Sequence, residues 1–151
     1  MTRSLRSRAT TRPRGAALLT GLVLLAGCSS LQDDADEQAA QLADGPLLSG
    51  LEREMQTAGA TTEEERGAAA EAWLSTPAPA ITESHGGSTW VVREREGASV
   101  TVAVYQYWES GSFFPPDQGE AAWGLACREY EVAPQVTARS IPCPEGTPAA
   151  P

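Results

Sequence analysis

The chain has 151 residues, room for one domain. Its formal charge is −9, with 20 acidic residues against 11 basic ones, so a phosphate backbone repels it and no nucleic-acid partner is expected. It contains no Lys and no Asn, which removes Schiff-base and P-loop lysine chemistry and an asparagine oxyanion donor.

The N-terminus carries Arg3, Arg6, Arg8, Arg12 and Arg14, then an apolar run over residues 15–26 broken only by Thr20. That run is short of the roughly 20 residues a membrane-spanning helix needs, and its basic flank marks a cleavable secretory signal. It ends on Leu25-Ala26-Gly27-Cys28, followed by polar Ser29-Ser30. These four residues resemble the lipobox of bacterial lipoproteins. The resemblance implies that the Cys28 thiol receives a diacylglyceryl group and that a dedicated peptidase cuts before it. Residues 1–27 are then the signal peptide, and the protein sits lipid-anchored on the extracytoplasmic face of the cell membrane. No two leader arginines are adjacent, which favours the general secretion route. Two acyl chains anchor stably, at about 0.8 kcal/mol per buried CH₂, where one holds only marginally. Cleavage removes five basic residues and no acidic ones, taking the charge from −9 to −14. So acidic a domain should stand off anionic lipid, held there by its lipid alone.

Residues 28–46 read as the lipidated Cys and an acidic flexible tether. Asp33, Asp34, Asp36, Glu37 and Asp44 crowd it and no aromatic residue is present. Leu31, Ala35, Gln38 and Leu42 allow a transient helix. A calcium loop does not fit, because no Gly stands at the sixth position after Asp34 or Asp36.

Leu47, Leu48, Leu51, Met55 and Ala58 recur at helical spacing and predict a first helix over 47–58, with Gly59 as its stop. Ser49, with Glu52 three residues on, offers an alternative start. Thr62 then N-caps a second helix whose first turn holds Glu63, Glu64 and Glu65. Pro77 and Pro79 end it, and 75–80 reads as extended.

Residues 89–95 and 98–108 predict two strands joined at Glu96-Gly97, a β-hairpin. Alternation places Arg93 and Arg95 on one face of the first strand and Trp90, Val92, Glu94 and Glu96 on the other. The second strand is apolar on both faces, as a central strand is. A long loop over 109–120 follows. Residues 121–131 read as a third strand or a short helix running into one, and 135–142 as a fourth strand after a turn at Ala133-Pro134. Residues 145–151 read as a frayed, disordered tail.

Cys127 and Cys143 remain once Cys28 is lipidated. They lie 16 positions apart in a compartment that permits disulfides, and closing such a loop is worth about 3 kcal/mol. With no CxxC and one histidine, a metal site is not expected. The domain 47–144 is thus expected to be α+β, two N-terminal helices packed on a four-stranded antiparallel sheet with one disulfide.

His85 follows Ser84, but neighbours along an extended chain point apart, so they predict no nucleophile–base pair. No G-x-S-x-G or H-E-x-x-H occurs. The best functional lead is aromatic: Tyr105, Tyr107, Trp108, Phe113, Phe114 and Trp123 fall around the long loop. One account folds these rings back to complete a core short of large residues. The other makes Tyr107, Trp108, Phe113, Phe114 and Trp123 a patch for an envelope protein or glycan. The lipobox, acidic spacer and two C-terminal cysteines together resemble small envelope lipoproteins of high-GC bacteria, a class that implies no activity. We expect a cell-envelope binding or scaffolding domain with no catalytic residues, cofactor or metal. The alternative is an envelope hydrolase using a carboxylate or His85.

Overall fold

The computed structural model describes residues 30–109 and 120–151. The predicted signal peptide, Cys28, Phe113 and Phe114 lie outside the described residues. The elements run α1 (Leu31–Leu42), a π-helical turn (Ala43–Leu47), α2 (Leu48–Thr57), α3 (Glu63–Leu74), α4 (Pro79–Ser84), β1 (Ser88–Glu96), β2 (Ser99–Glu109), β3 (Ala121–Glu131) and β4 (Thr137–Ser140). The strands form one antiparallel sheet in the order β1-β2-β3-β4, with the helices on one face, an α+β architecture. The third segment is strand throughout. Among the described residues no helix is long and apolar enough to cross a membrane.

The acidic stretch expected as a tether is folded from Ser30 onward. Ser30 Oγ accepts from the Asp33 N–H at 3.1 Å, and the Asp33 carboxylate accepts from the Ser30 N–H at 3.0 Å. This reciprocal capping box starts α1. Ala35, Ala39 and Leu42 then lie on one stripe and are buried against the sheet. Their small size brings the helix backbone close. Gly124 of β3 completes the approach, since a Cβ there would overlap the Ala35 carbonyl.

α1 also closes an exposed edge. β4 pairs only with residues 128–131, so among the described residues the first half of β3 has no strand partner on that side. Gln32 Nε2 donates to the Trp123 carbonyl at 3.0 Å, and Asp36 Oδ1 accepts from the Leu125 N–H at 2.9 Å. Two side chains of one helix thereby satisfy backbone groups that a fourth long strand would otherwise pair.

Pro46, expected to bound the tether, sits inside the π-helical turn. Proline removes one backbone donor and clashes in a regular helix, and the wider turn accommodates it. The chain therefore passes from α1 to α2 without a break. Asp44 on that turn accepts two hydrogen bonds from one edge of the Arg128 guanidinium, Nε to Oδ1 at 2.7 Å and Nη2 to Oδ2 at 2.8 Å. Arg128 Nη1 donates to the Cys127 carbonyl and to Ser140 Oγ. One buried arginine thus joins the helical layer, β3 and β4. Tyr130, fully buried, donates from its hydroxyl to the Ala43 carbonyl at 2.9 Å.

α3 starts as expected at Thr62, with a second capping box in which Glu65 accepts from the N–H groups of Thr61 and Thr62. The chain before it turns at Gly59, whose φ is +65°. α3 crosses the β1–β2 turn at Gly67, where a Cβ would overlap the Gly97 carbonyl. The connection expected to be extended through residue 80 folds at Pro79 into the short α4, because proline at a first helical position gives up an N–H that has no partner there anyway.

Val100, Val102 and Val104 face the helices with Trp90, Val92, Tyr130, Leu51 and Leu74. Arg95 faces the same way, contrary to the expected alternation. Val92 pairs with Val102 but Glu94 with Thr101, so Arg93 is an extra residue in a bulge that reverses the facing beyond it. Arg95 therefore reaches α3, 2.7 Å from both Glu64 and Glu71. Arg93 lies on the outer face and donates to the Gly146 carbonyl.

That contact belongs to the C-terminal segment, which is docked rather than frayed. Tyr105 donates to the Pro148 carbonyl at 2.8 Å, and Ala150 packs with Ala103, Tyr105 and Cys127 on the outer face. β4 is shorter than the predicted 135–142 and is held to β3 by the Cys127–Cys143 disulfide.

Three carboxylates are stabilised as anions. Backbone N–H groups of Thr61 and Thr62 pull Glu65 down to about 2. The Ser30 N–H lowers Asp33, and Arg128 lowers Asp44. Unfolded carboxylates titrate near 4. A depressed folded value gives stability that is present above the unfolded value and lost as pH falls through the folded one. The urea midpoint should therefore fall between about pH 4.5 and pH 2. Glu65→Gln should start lower at pH 7 and fall less steeply over that interval; an unchanged slope would remove Glu65 from the account.

Candidate functional site

Strand alternation divides the predicted aromatic patch. Tyr107 and Trp123 are cross-strand partners on the outer face, their ring centroids 5.4 Å apart at 61°, an edge-to-face pair. Both are half-buried. Tyr107 donates to Glu109 at 3.0 Å, and this bond, with burial, raises its phenol above the ordinary value. Gly87, with φ +70°, packs against the Tyr107 Cβ in space that a side chain would fill. Trp108, one residue on, faces the helices instead. The expected five-residue patch is thus corrected to two separate surfaces, with Phe113 and Phe114 outside the described residues.

The inner surface is a cavity of about 430 Å³ between α1, the π-helical turn, the end of α4 and β2. That volume is in the range of small-molecule sites. Trp108, Leu42 and Pro46 supply its apolar wall, and Gln38, Gln41, Gln106 and His85 its polar one. Among the described residues no carboxylate or guanidinium lines it.

Gln106 is 8% exposed. Its Nε2 stands 2.8 Å from the His85 carbonyl and 3.0 Å from those of Gly86 and Tyr107. Three carbonyls around one nitrogen fix the amide's orientation, since only the NH₂ end can donate. Among the described residues its buried Oε1 has no hydrogen-bond partner, and neither has Oγ of Ser88, its cross-strand neighbour. An unpartnered buried acceptor is costly.

Ser84 and His85 do meet, contrary to the expectation for an extended chain. Ser84 ends α4 and His85 caps it, so backbone curvature brings Ser84 Oγ within 2.9 Å of His85 Nδ1. The bonding does not make a nucleophile. His85 Nδ1 also lies 3.0 Å from the Ile81 carbonyl, which only accepts, so Nδ1 carries the proton. Ser84 Oγ donates to the Ala80 carbonyl at 2.7 Å. A base for Ser84 needs Nδ1 bare, and here it is a donor.

Sequence reasoning missed Gln106, Gln38 and Gln41. Their only available signal was the parity that puts Gln106 two residues before Trp108 on one face. Among the described residues no group of three His, Cys, Asp or Glu side chains is placed to hold a metal.

Fold and site together define a two-layer α+β domain with an uncharged cavity under its first helix. No family model matches the chain, and neither a curated protein nor a solved structure matches it.

Proposed function

We propose that the chain is a lipid-anchored cell-envelope domain that binds a ligand without transforming it. The anchor rests on Leu25-Ala26-Gly27-Cys28. The Cys127–Cys143 disulfide supports an oxidising compartment. The observation that carries the binding role is the cavity, where a half-buried Trp108 ring stands with Gln38, Gln41 and Gln106 in one lining. An aromatic face beside amide groups suits a neutral, hydroxyl-bearing ligand, and an envelope glycan has that chemistry.

Titration of the mature Cys28→Ser chain with solubilised cell-wall glycan, followed by tryptophan emission, tests this. Trp108→Ala should weaken binding at least tenfold and leave the melting temperature nearly unchanged, because the ring is only half-buried. Binding that survives Trp108→Ala contradicts the site. Glycan turnover abolished by His85→Ala contradicts the non-catalytic reading.

A further inference from the structure

We propose that the end of the sheet where β2 finishes and β3 begins rests on the bilayer, with Trp123 and Tyr107 seated among neutral lipid headgroups. The proposal rests on the lipidation of Cys28 and goes beyond it, since a lipid on a long tether would leave orientation free. The tether is not long. α1 is helical from Leu31 and capped by Ser30, two residues after Cys28. At about 3.3–3.6 Å per extended residue, the Ser30 Cα lies within about 7 Å of the Cys28 Cα. The headgroup layer on each side of a bilayer core is itself about 5–8 Å thick. The first turn of α1 is therefore at headgroup level.

That turn is locked to the sheet. Gln32 bonds the Trp123 carbonyl, Asp36 the Leu125 N–H, and the Ala35 backbone lies on Gly124. α1 and β3 run the same way, since Asp44 further along meets Arg128 and Ala43 meets Tyr130. The β1–β2 turn at Gly97 thus points away from the anchor, and Tyr107, Glu109 and Trp123 lie beside it. Trp and Tyr favour the membrane–water interface, where an apolar ring and a polar tip are both satisfied. A weak surface interaction suffices, because the covalent anchor makes it intramolecular.

Charge selects the lipid. Asp33 and Asp34 in the first turn and Glu109 beside Tyr107 face the same end. They oppose deep insertion and are repelled by anionic headgroups. Contact should therefore form on zwitterionic lipid and weaken as anionic lipid is added.

The test uses full-length protein purified from membranes, with the mass at Cys28 measured on the same sample. In phosphatidylcholine vesicles brominated near the headgroup, part of the tryptophan emission should be quenched. Trp123→Phe should remove at least half of that quenching, and Trp73→Phe should leave it unchanged. Hydrogen exchange needs no substitution: reconstitution should slow exchange at residues 105–109 and 121–124 and not at 96–98. Replacing 30% of the lipid with phosphatidylglycerol should reduce both effects. Absent quenching and unslowed exchange with Cys28 lipidated overturn the orientation alone. An unmodified Cys28 overturns the anchor and the orientation with it.

Discussion

Gly124→Ala should lower stability by about 2–3 kcal/mol, the upper end of what overpacking a well-filled site costs. The added methyl group would overlap the Ala35 carbonyl and crowd the Asp36 N–H, both backbone atoms of α1 that no rotamer change can move aside. α1 must then lift from β3. Lifting breaks the Gln32–Trp123 and Asp36–Leu125 hydrogen bonds and leaves the first half of β3 an open edge. The expected result is a lower urea midpoint, with loss of amide protection over Leu31–Leu42 before the β1–β2 hairpin. A variant as stable as the parent, with α1 still protected, would show that the helix does not lie on Gly124.

Removing the disulfide should have an effect of similar size. The bond joins a buried residue in the middle of β3 to the chain just beyond β4, a separation of 16 residues. Loop-closure entropy assigns it about 3 kcal/mol. For a domain of this size that lowers the melting temperature by roughly 10 °C. β4 has four residues and one neighbour, so it should detach first. Reduction should thus release both β4 and the C-terminal segment that packs on Tyr105, which fluorescence and limited proteolysis at residues 137–151 would report. A melting temperature unmoved by reduction, with both thiols titrated, would contradict this.

The parts of the fold governed by local chemistry were legible in the sequence. Thr62 with Glu65 marked the start of α3, Glu96-Gly97 marked the hairpin turn, and the two late cysteines marked their bond. α1 was hidden because its buried stripe is Ala35, Ala39 and Leu42, which bury little apolar area among four carboxylates. Its signal was present in Ser30-x-x-Asp33, a capping box read past because of the charge around it. What holds the helix is a glycine 89 positions after Ala35, and such complementarity has no local trace. The facing of Arg95 failed for a related reason. A bulge at Arg93 is one residue of slip, and period-two reasoning assumes none. The site was half legible. Aromatic density marked the end of the sheet where β2 finishes and β3 begins, but parity put Trp108 in a cavity with Gln106 and sent Tyr107 and Trp123 to the other face. Ser84 and His85 meet, against expectation, because α4 curves the chain there, and an argument from an extended backbone does not hold on a helix end.

With α1 folded from Ser30, a lipid on Cys28 would set not only where the domain resides but also which end of it approaches the membrane. The direct measurement is the intact mass and N-terminal peptide of the protein extracted from membranes. The account predicts a mature chain beginning at Cys28 and carrying a diacylglyceryl thioether, and release or incomplete processing of Cys28→Ser. A mature chain with a free Cys28 thiol, or one cut elsewhere, would contradict it.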